Sequence, residues 1–272
     1  MRKTGFAGLI GLSLILASCS TQTATTDQAA QNTLASHPGA TFQNVNWRVE
    51  GAGDQLVKAE VRDGQLLFQD DIVLGDADLH SQGTYTTNTA TRWPNRTIPY
   101  TFNASLSTTM RDRIKQAITN IQNTTNVRLV ARTSQADYIE FRPASGTTCS
   151  SSLGRVGGRQ YVNLADRCTT GTIMHEVGHT MGLFHEQTRP DRDKAVRILW
   201  ENIPADWQSQ YEIRSGSAGY GAYDFDSIMH YPAYFDGKLA IQPLDAKIDV
   251  NRMGQRNGYS ATDRAVINAM YP

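Results

Sequence analysis

Three of the chain's six histidines fall in one short stretch, HEVGHTMGLFH, as His175, His179 and His185. His175 and His179 are four residues apart, a spacing that puts both imidazoles on one face of an α-helix, one turn above the other. Gly182 can then take the left-handed backbone that ends a helix without steric cost, so that His185 returns to the same point. Three neutral imidazoles with an open fourth position are the ligand set of catalytic zinc, whereas structural zinc sites are closed by four ligands, usually with cysteine. Glu176 follows the first histidine, off the ligand face. A carboxylate there can take a proton from water activated by the metal and return it to a departing nitrogen. That chemistry suits hydrolysis of a peptide bond, whose leaving amine must be protonated as the bond breaks. A bare H-E-x-x-H arises by chance in about one chain in a hundred of this size, and adding Gly182 and His185 lowers that to below roughly one in ten thousand.

Such a motif needs a helix, and the helix needs a framework. Upstream, WPNRTIPYTF (Trp93 to Phe102) reads as a turn into a strand. Ser107 is a good N-cap for an amphipathic helix over about Thr108 to Gln122, whose apolar face is Met110, Ile114, Ala117, Ile118 and Ile121. NVRLV, DYIEF and GRQYVNL read as strands, so strand, helix and strands precede the motif helix in a mixed α/β subdomain. Earlier still, alternation broken by glycines from Val45 to Asp78 predicts two or three strands, a segment too small to hold a core and expected to pack against the C-terminal remainder of the chain. Small and polar residues from Ser81 to Arg92 mark the boundary between the two parts.

The balance of 26 basic and 26 acidic residues, with 39% hydrophobic residues, describes a soluble globular protein. No block of like charge points to nucleic acid or to an anionic membrane surface. Arg2 and Lys3 precede an apolar run from Phe6 to Ala17, the layout of a secretory signal over residues 1–18, too short to span a bilayer comfortably. The run ends in LASC, which resembles a bacterial lipobox, with Cys19 as the lipidated new N-terminus and the sole membrane attachment; an ordinary signal peptide is the alternative. Ser20 to Ser36 read as a flexible tether. In an exported protein the remaining pair, Cys149 and Cys168, is most simply a disulfide, contributing on the order of 3 kcal/mol; two buried thiols are the alternative.

The histidine stretch followed by SIMHY, with Met229, matches the metzincin signature. Within that group the chain from Trp93 to Pro272 resembles the astacin family of zinc endopeptidases, through HEVGHTMGLFHEQTRPDRD, SIMHY, WPNRTIPYTF and the ending MGQRNGYSATDRAVINAMY. The resemblance implies an α+β, zincin-like catalytic domain of two subdomains over residues 85–272, with an active-site helix, one zinc ion and a protein or peptide substrate, acting as a monomer. It implies that His175, His179 and His185 hold the metal, that Glu176 is base and then acid, that Tyr231 helps stabilise the oxyanion, and that Met229 floors the site. Glu186 matches a residue that contacts the mature N-terminus in the family, and Arg189, Asp191, Arg192 and Asp193 match its charged run. Cys149 and Cys168 match one of the family's two disulfides. The second is missing, which leaves the two subdomains held by packing alone.

Residues 19–84 then read as tether and inhibitory propeptide. LFQDDIVLGD resembles the family's F-x-G-D motif, in which the aspartate occupies the metal: Phe68 and Asp71 match, Asp70 stands where the family has glycine, Asp76 is the rival switch, and a solvated acidic turn is the bland alternative. Maturation is expected between Gln82 and Arg92. Two other functions fit the same residues: a cell-surface binding protein with a structural metal site, and an amidase of cell-wall peptides.

Overall fold

The computed structural model describes residues 33–50, 53–76, 84–86, 89–214 and 217–272; the signal segment and Cys19 lie outside them. Where alternation predicts two or three strands, four form: β2 (Thr41–Glu50), β3 (Gly53–Arg62), β4 (Gln65–Phe68) and β5 (Ile72–Asp76), after a short β1 (Thr33–Leu34). The extra length comes from β2, which pairs with β3 from Thr41↔Val61 onward and so begins before the apolar run does. Asp63 (φ 51°) and Gly64 (φ 75°) make the two-residue turn from β3 to β4, the Asp-Gly hairpin chemistry whose twist suits the flanking strands. The boundary segment is not structureless either, since β6 (Thr84–Thr86) pairs in parallel with β2.

Beyond it come β7 (Thr97–Phe102), α1 (Thr108–Thr124), β8 (Arg128–Ala131), β9 (Tyr138–Pro143), β10 (Cys149–Ser152), β11 (Arg159–Leu164) and α2 (Thr170–Thr180). As the periodicity predicts, α1 starts at the Ser107 cap, whose hydroxyl accepts from the Met110 amide, and buries Met110, Ile114, Ala117, Ile118 and Ile121. These residues join Ile98, Phe141, Val162, Ile173 and Val177 in the main core, between the sheet and the helices.

All these strands except β1 form one sheet in the order β6-β2-β3-β4-β5-β10-β11-β9-β7-β8. The seam between the N-terminal segment and the remainder is the parallel pair β5 and β10, with Ser151↔Ile72 and Ser152↔Val73 in register. β10 would otherwise be an open edge, with unpaired amides and carbonyls.

The C-terminal part is mostly irregular, with 3₁₀ turns, β12 (Val196–Ile198), β13 (Tyr234–Phe235), β14 (Lys238–Leu239), β15 (Ile241–Pro243) and a closing helix, α3 (Ala261–Met270). It has its own core around Trp207, Tyr211, Tyr231 and Phe235. The end of the expected tether is not free: β1 pairs in parallel with β13, and the Ser36 hydroxyl donates to Asp236 at 2.7 Å. Polar residues can be ordered this way because backbone pairing needs no apolar side chain. Cys149 and Cys168 are bonded, with Cα atoms 6.1 Å apart, tying the start of β10 to the residue just before the α2 cap. Among the described residues no helix is long and apolar enough to cross a membrane.

Candidate active site

Helix α2 is capped by Thr169, whose hydroxyl accepts from the Thr172 amide, and it carries His175, Glu176 and His179 into the interior. At its end Gly182 takes a φ of 100°, its amide bonding to the His179 carbonyl at 2.7 Å, and the chain turns back to bring His185 beside the other two. Each imidazole is oriented by a different part of the chain. His175 Nδ1 donates to the Ile228 carbonyl at 2.7 Å, His179 Nδ1 to the Leu183 carbonyl at 2.8 Å, and His185 Nδ1 to the Gln69 side-chain oxygen at 3.2 Å.

Those three acceptors place the ring proton on Nδ1, so each Nε2 carries a free lone pair. The lone pairs converge: His175 Nε2 lies 3.1 Å from that of His179 and 3.3 Å from that of His185. Asp71 joins them, with Oδ2 at 3.0 Å from His175 Nε2 and 3.3 Å from His185 Nε2, and Oδ1 at 3.4 Å from His179 Nε2. Three unprotonated nitrogens and a carboxylate crowded together in a buried space repel one another unless a cation sits between them. The spacing suits one cation in particular, because nitrogens about 2.0–2.1 Å from a tetrahedral zinc lie about 3.3 Å from each other. Burial also keeps His175 and His185 below the usual imidazole range, in the neutral form that binds metal.

Asp71 is a carboxylate that meets the histidines; the backbone of Asp76 ends β5 opposite Gln65. Glu176 stays outside the ligand group and accepts from the Ser151 hydroxyl at 3.0 Å. Burial, and then the Asp71 charge, push its carboxyl well above the ordinary range. Tyr231 lies against the His185 ring, centroids 4.5 Å apart, but its hydroxyl donates to the Gln69 carbonyl at 2.6 Å rather than pointing into the cluster. Met229 lies beneath α2, where a Cβ on Gly178 would come within 2.7 Å of its sulfur, and its carbonyl accepts from the Glu186 amide. Asp263, in the first turn of α3, holds this Met-turn by accepting from the Ser227 hydroxyl at 2.6 Å and the Ile228 amide at 2.9 Å. The closing helix thereby fixes the carbonyl that orients His175.

The charged run behaves as a structural network. Arg189 reaches Glu186 at 3.1 Å and Asp191 at 2.9 Å, while Arg192 donates to the Gln187 carbonyl and to Asp193. Burial raises the Glu186 carboxyl to about 7.

The loop that presents Asp71 is held in an uncommon shape. Gln69 (φ 52°) and Asp70 (φ 67°) are consecutive left-handed residues, a backbone that glycine adopts freely and other residues rarely. Arg62 compensates: its Nη2 contacts Asp70 Oδ1 and His37 Nδ1, each at 2.7 Å, and also Glu60, while its Nη1 donates to the Asp70 carbonyl at 3.3 Å. Burial opposes ionisation of Glu60, yet His37 and Arg62 together hold its carboxyl below the ordinary range. Substituting Arg62→Met strands a buried carboxylate, a change that costs about 3–5 kcal/mol. The expected result is faster proteolysis within residues 41–76 of the full chain, with Arg62→Lys intermediate.

Sequence reasoning missed Ser151, Arg62, Asp263 and Arg256. Arg256 lines, with Thr147, Arg167, Glu176 and Tyr231, a cavity of about 250 Å³ next to the histidines. Its guanidinium donates to the carbonyls of His230 (3.2 Å) and Gln255 (2.9 Å). Its own carbonyl occupies the space a Cβ on Gly171 would need, so the first turn of α2 packs directly on this loop. Gly171→Ala should therefore displace Arg256 and lower the thermal midpoint by several degrees, because backbone cannot yield as a side-chain tip can.

The profile of the peptidase family described as Astacin matches residues 85–272. The chain is 38% identical over 192 residues to zinc metalloproteinase nas-13 of Caenorhabditis elegans, aligning 66% of this chain with 41% of that protein. It is 35% identical over 187 residues to flavastacin of Elizabethkingia meningoseptica, aligning 66% of this chain with 42% of that one. The chain thus spans about two fifths of the length of these relatives. Among solved structures, high choriolytic enzyme 1, a hatching enzyme zinc-protease from the medaka Oryzias latipes, superimposes with a TM-score of 0.59 at 34% identity, over 66% of this chain and 92% of that one. The metal-type histidine cluster and the two-part α+β fold thus sit within a matched region of 188 residues, and the chain belongs to the astacin family of peptidases.

Proposed function

We propose that the chain is the zymogen of a zinc-dependent endopeptidase, and the observation that carries this is the convergence of three Nε2 lone pairs beside a carboxyl that is not a ligand. His175, His179 and His185 hold the metal, and Asp71 takes the fourth position in the latent form. Bound zinc supplies Lewis acidity, polarising a carbonyl oxygen and lowering the pKa of water to roughly 7. Glu176, steadied by Ser151, takes the proton of the attacking water and delivers it to the leaving nitrogen. Tyr231, once its hydroxyl is free of the Gln69 carbonyl, donates to the oxygen on which charge develops. Met229 and Asp263 keep His175 in place.

In this reading residues 1–18 are a signal, residues 19–84 are tether and propeptide, and residues 85–272 are the catalytic domain. The protein is exported, its membrane contact is a lipid on Cys19, it works as a monomer, and its substrate is a protein or peptide. The propeptide keeps the enzyme silent in two ways, by the Asp71 carboxylate at the histidines and by β5 laid along β10, where an extended substrate would add as a strand. The test is to measure zinc content and hydrolysis of denatured casein before and after limited proteolysis between residues 77 and 92, with and without a chelator. One zinc per chain, activity that appears on cleavage, and loss of that activity with the chelator are expected. Zinc without turnover in either form would favour a metal-stabilised binding protein.

A further inference from the structure

The third apolar cluster of the molecule contains Trp47, Val57, Ala59, Leu66, Phe68, Ile72 and Leu74 from the N-terminal segment and, among the described residues of the family-matched part, Leu153, with Phe184 packed against it. Neither of those two residues is among the buried members of the main core. Leu153 follows directly on β10, beyond Ser152, which is paired with Val73. Phe184 stands between Gly182 and His185, and Trp47 meets its ring edge-on with centroids 6.3 Å apart. Leu153 is 4% exposed in the full chain, within a cluster whose other buried members come from the N-terminal segment.

The way this patch is covered also shows how a peptide can use it. β5 adds to the free edge of β10, and the Ser151 amide donates to the Asp71 carbonyl at 2.9 Å. Ile72 and Leu74, two residues apart on that strand, share a face and both enter the cluster. An extended chain laid on the same edge places alternate side chains there, next to the point where the Asp71 side chain reaches the three histidines.

We propose that Leu153 and Phe184 form an apolar subsite of the mature enzyme, which selects polypeptide substrates carrying a large branched or aromatic side chain where Ile72 and Leu74 now lie. This rests on the zymogen reading, since the patch is bared only when the N-terminal segment leaves. Filling it removes apolar surface from water on both partners, which for side chains of this size corresponds to roughly 10-fold or more in affinity per residue.

The test uses full-length, zinc-loaded protein processed by limited proteolysis, and a synthetic peptide of residues 69–76 alongside its Ile72→Ala, Leu74→Ala counterpart. The parent peptide should bind at least 10-fold more tightly than the alanine peptide. Phe184→Ala and Leu153→Ala proteins, checked for full zinc content, should shrink that ratio to about 2-fold. Cleavage of a randomised peptide library should show the same preference at one fixed position from the scissile bond, weakened by the same substitutions. Equal binding of the two peptides, no binding of the parent at millimolar concentration, or a ratio unchanged in both variants would overturn the subsite. Should Phe184→Ala lose zinc, Leu153→Ala alone decides. Discrimination between the peptides without cleavage of any substrate would leave the subsite standing and count instead against the peptidase reading.

Discussion

Replacing Glu176 with glutamine is expected to leave one zinc per chain and to lower kcat of the processed enzyme by roughly 10²–10⁴-fold, the range a positioned acid and base contributes. The side chain is buried, lies outside the ligand group and accepts a hydrogen bond from Ser151 at 3.0 Å. An amide oxygen can accept that same bond, so glutamine keeps the local packing and removes only the ability to take up and release a proton. KM should therefore stay within about 2-fold, because a group acting on the proton in the transition state does not contribute to uniform binding. Ser151→Ala offers the graded comparison. It removes the hydroxyl that steadies the carboxylate but not the carboxylate, and it should cost about 10-fold, in line with the ~1 kcal/mol of one hydrogen bond plus some loss of orientation. Near-normal turnover in the glutamine variant, or loss of zinc from it, would sink this assignment of roles.

How much of this was legible before folding depends on whether the information is local. His175 and His179 are one helical turn apart, Gly182 is the residue that permits a φ of 100°, and the α1 face repeats at helical spacing, so each could be read from neighbouring positions. The pairing of β5 with β10 could not. It joins residues about eighty positions apart, and no pattern in LFQDDIVLGD distinguishes a strand that completes a foreign sheet edge from a solvated turn. For the same reason the motif alone left Asp76 as a rival to Asp71, and Arg62 gave no signal as the partner of Asp70, eight residues on. Asp70 itself was a visible departure from the family's glycine, and its consequence is physical: a side chain can occupy left-handed backbone when an ion pair holds it there. Ser151 had no signal at all, one serine among three in CSSS, and only β10's place beside α2 gives it a partner. The tether misled at its end because β1 is held by backbone pairing and by Asp236, which composition does not register.

Asp71→Ala in the uncleaved chain should raise peptide hydrolysis by roughly 10–100-fold over the uncleaved parent, yet leave it well below that of the processed enzyme. The carboxylate lies 3.0–3.4 Å from all three Nε2 atoms, and losing an interaction with charged or metal-bound groups costs about 1.5–3 kcal/mol, which sets the rise in the uncovered population. On the zymogen reading, the remainder of the latency would rest on contacts the substitution leaves intact. β5 still occupies the edge of β10, the Tyr231 hydroxyl still donates to the Gln69 carbonyl at 2.6 Å, and Trp47 and Phe68 still cover Leu153 and Phe184. A small peptide can enter through transient opening of that strand more readily than a folded protein, so the increase should be larger on short peptides than on casein. Asp76→Ala serves as the control from the same motif and should leave latency unchanged. If Asp76→Ala awakens the chain and Asp71→Ala does not, the metal plug is misassigned. If both stay silent while proteolysis still activates, strand coverage alone accounts for latency, and the carboxylate beside the histidines acts only to hold the metal before maturation.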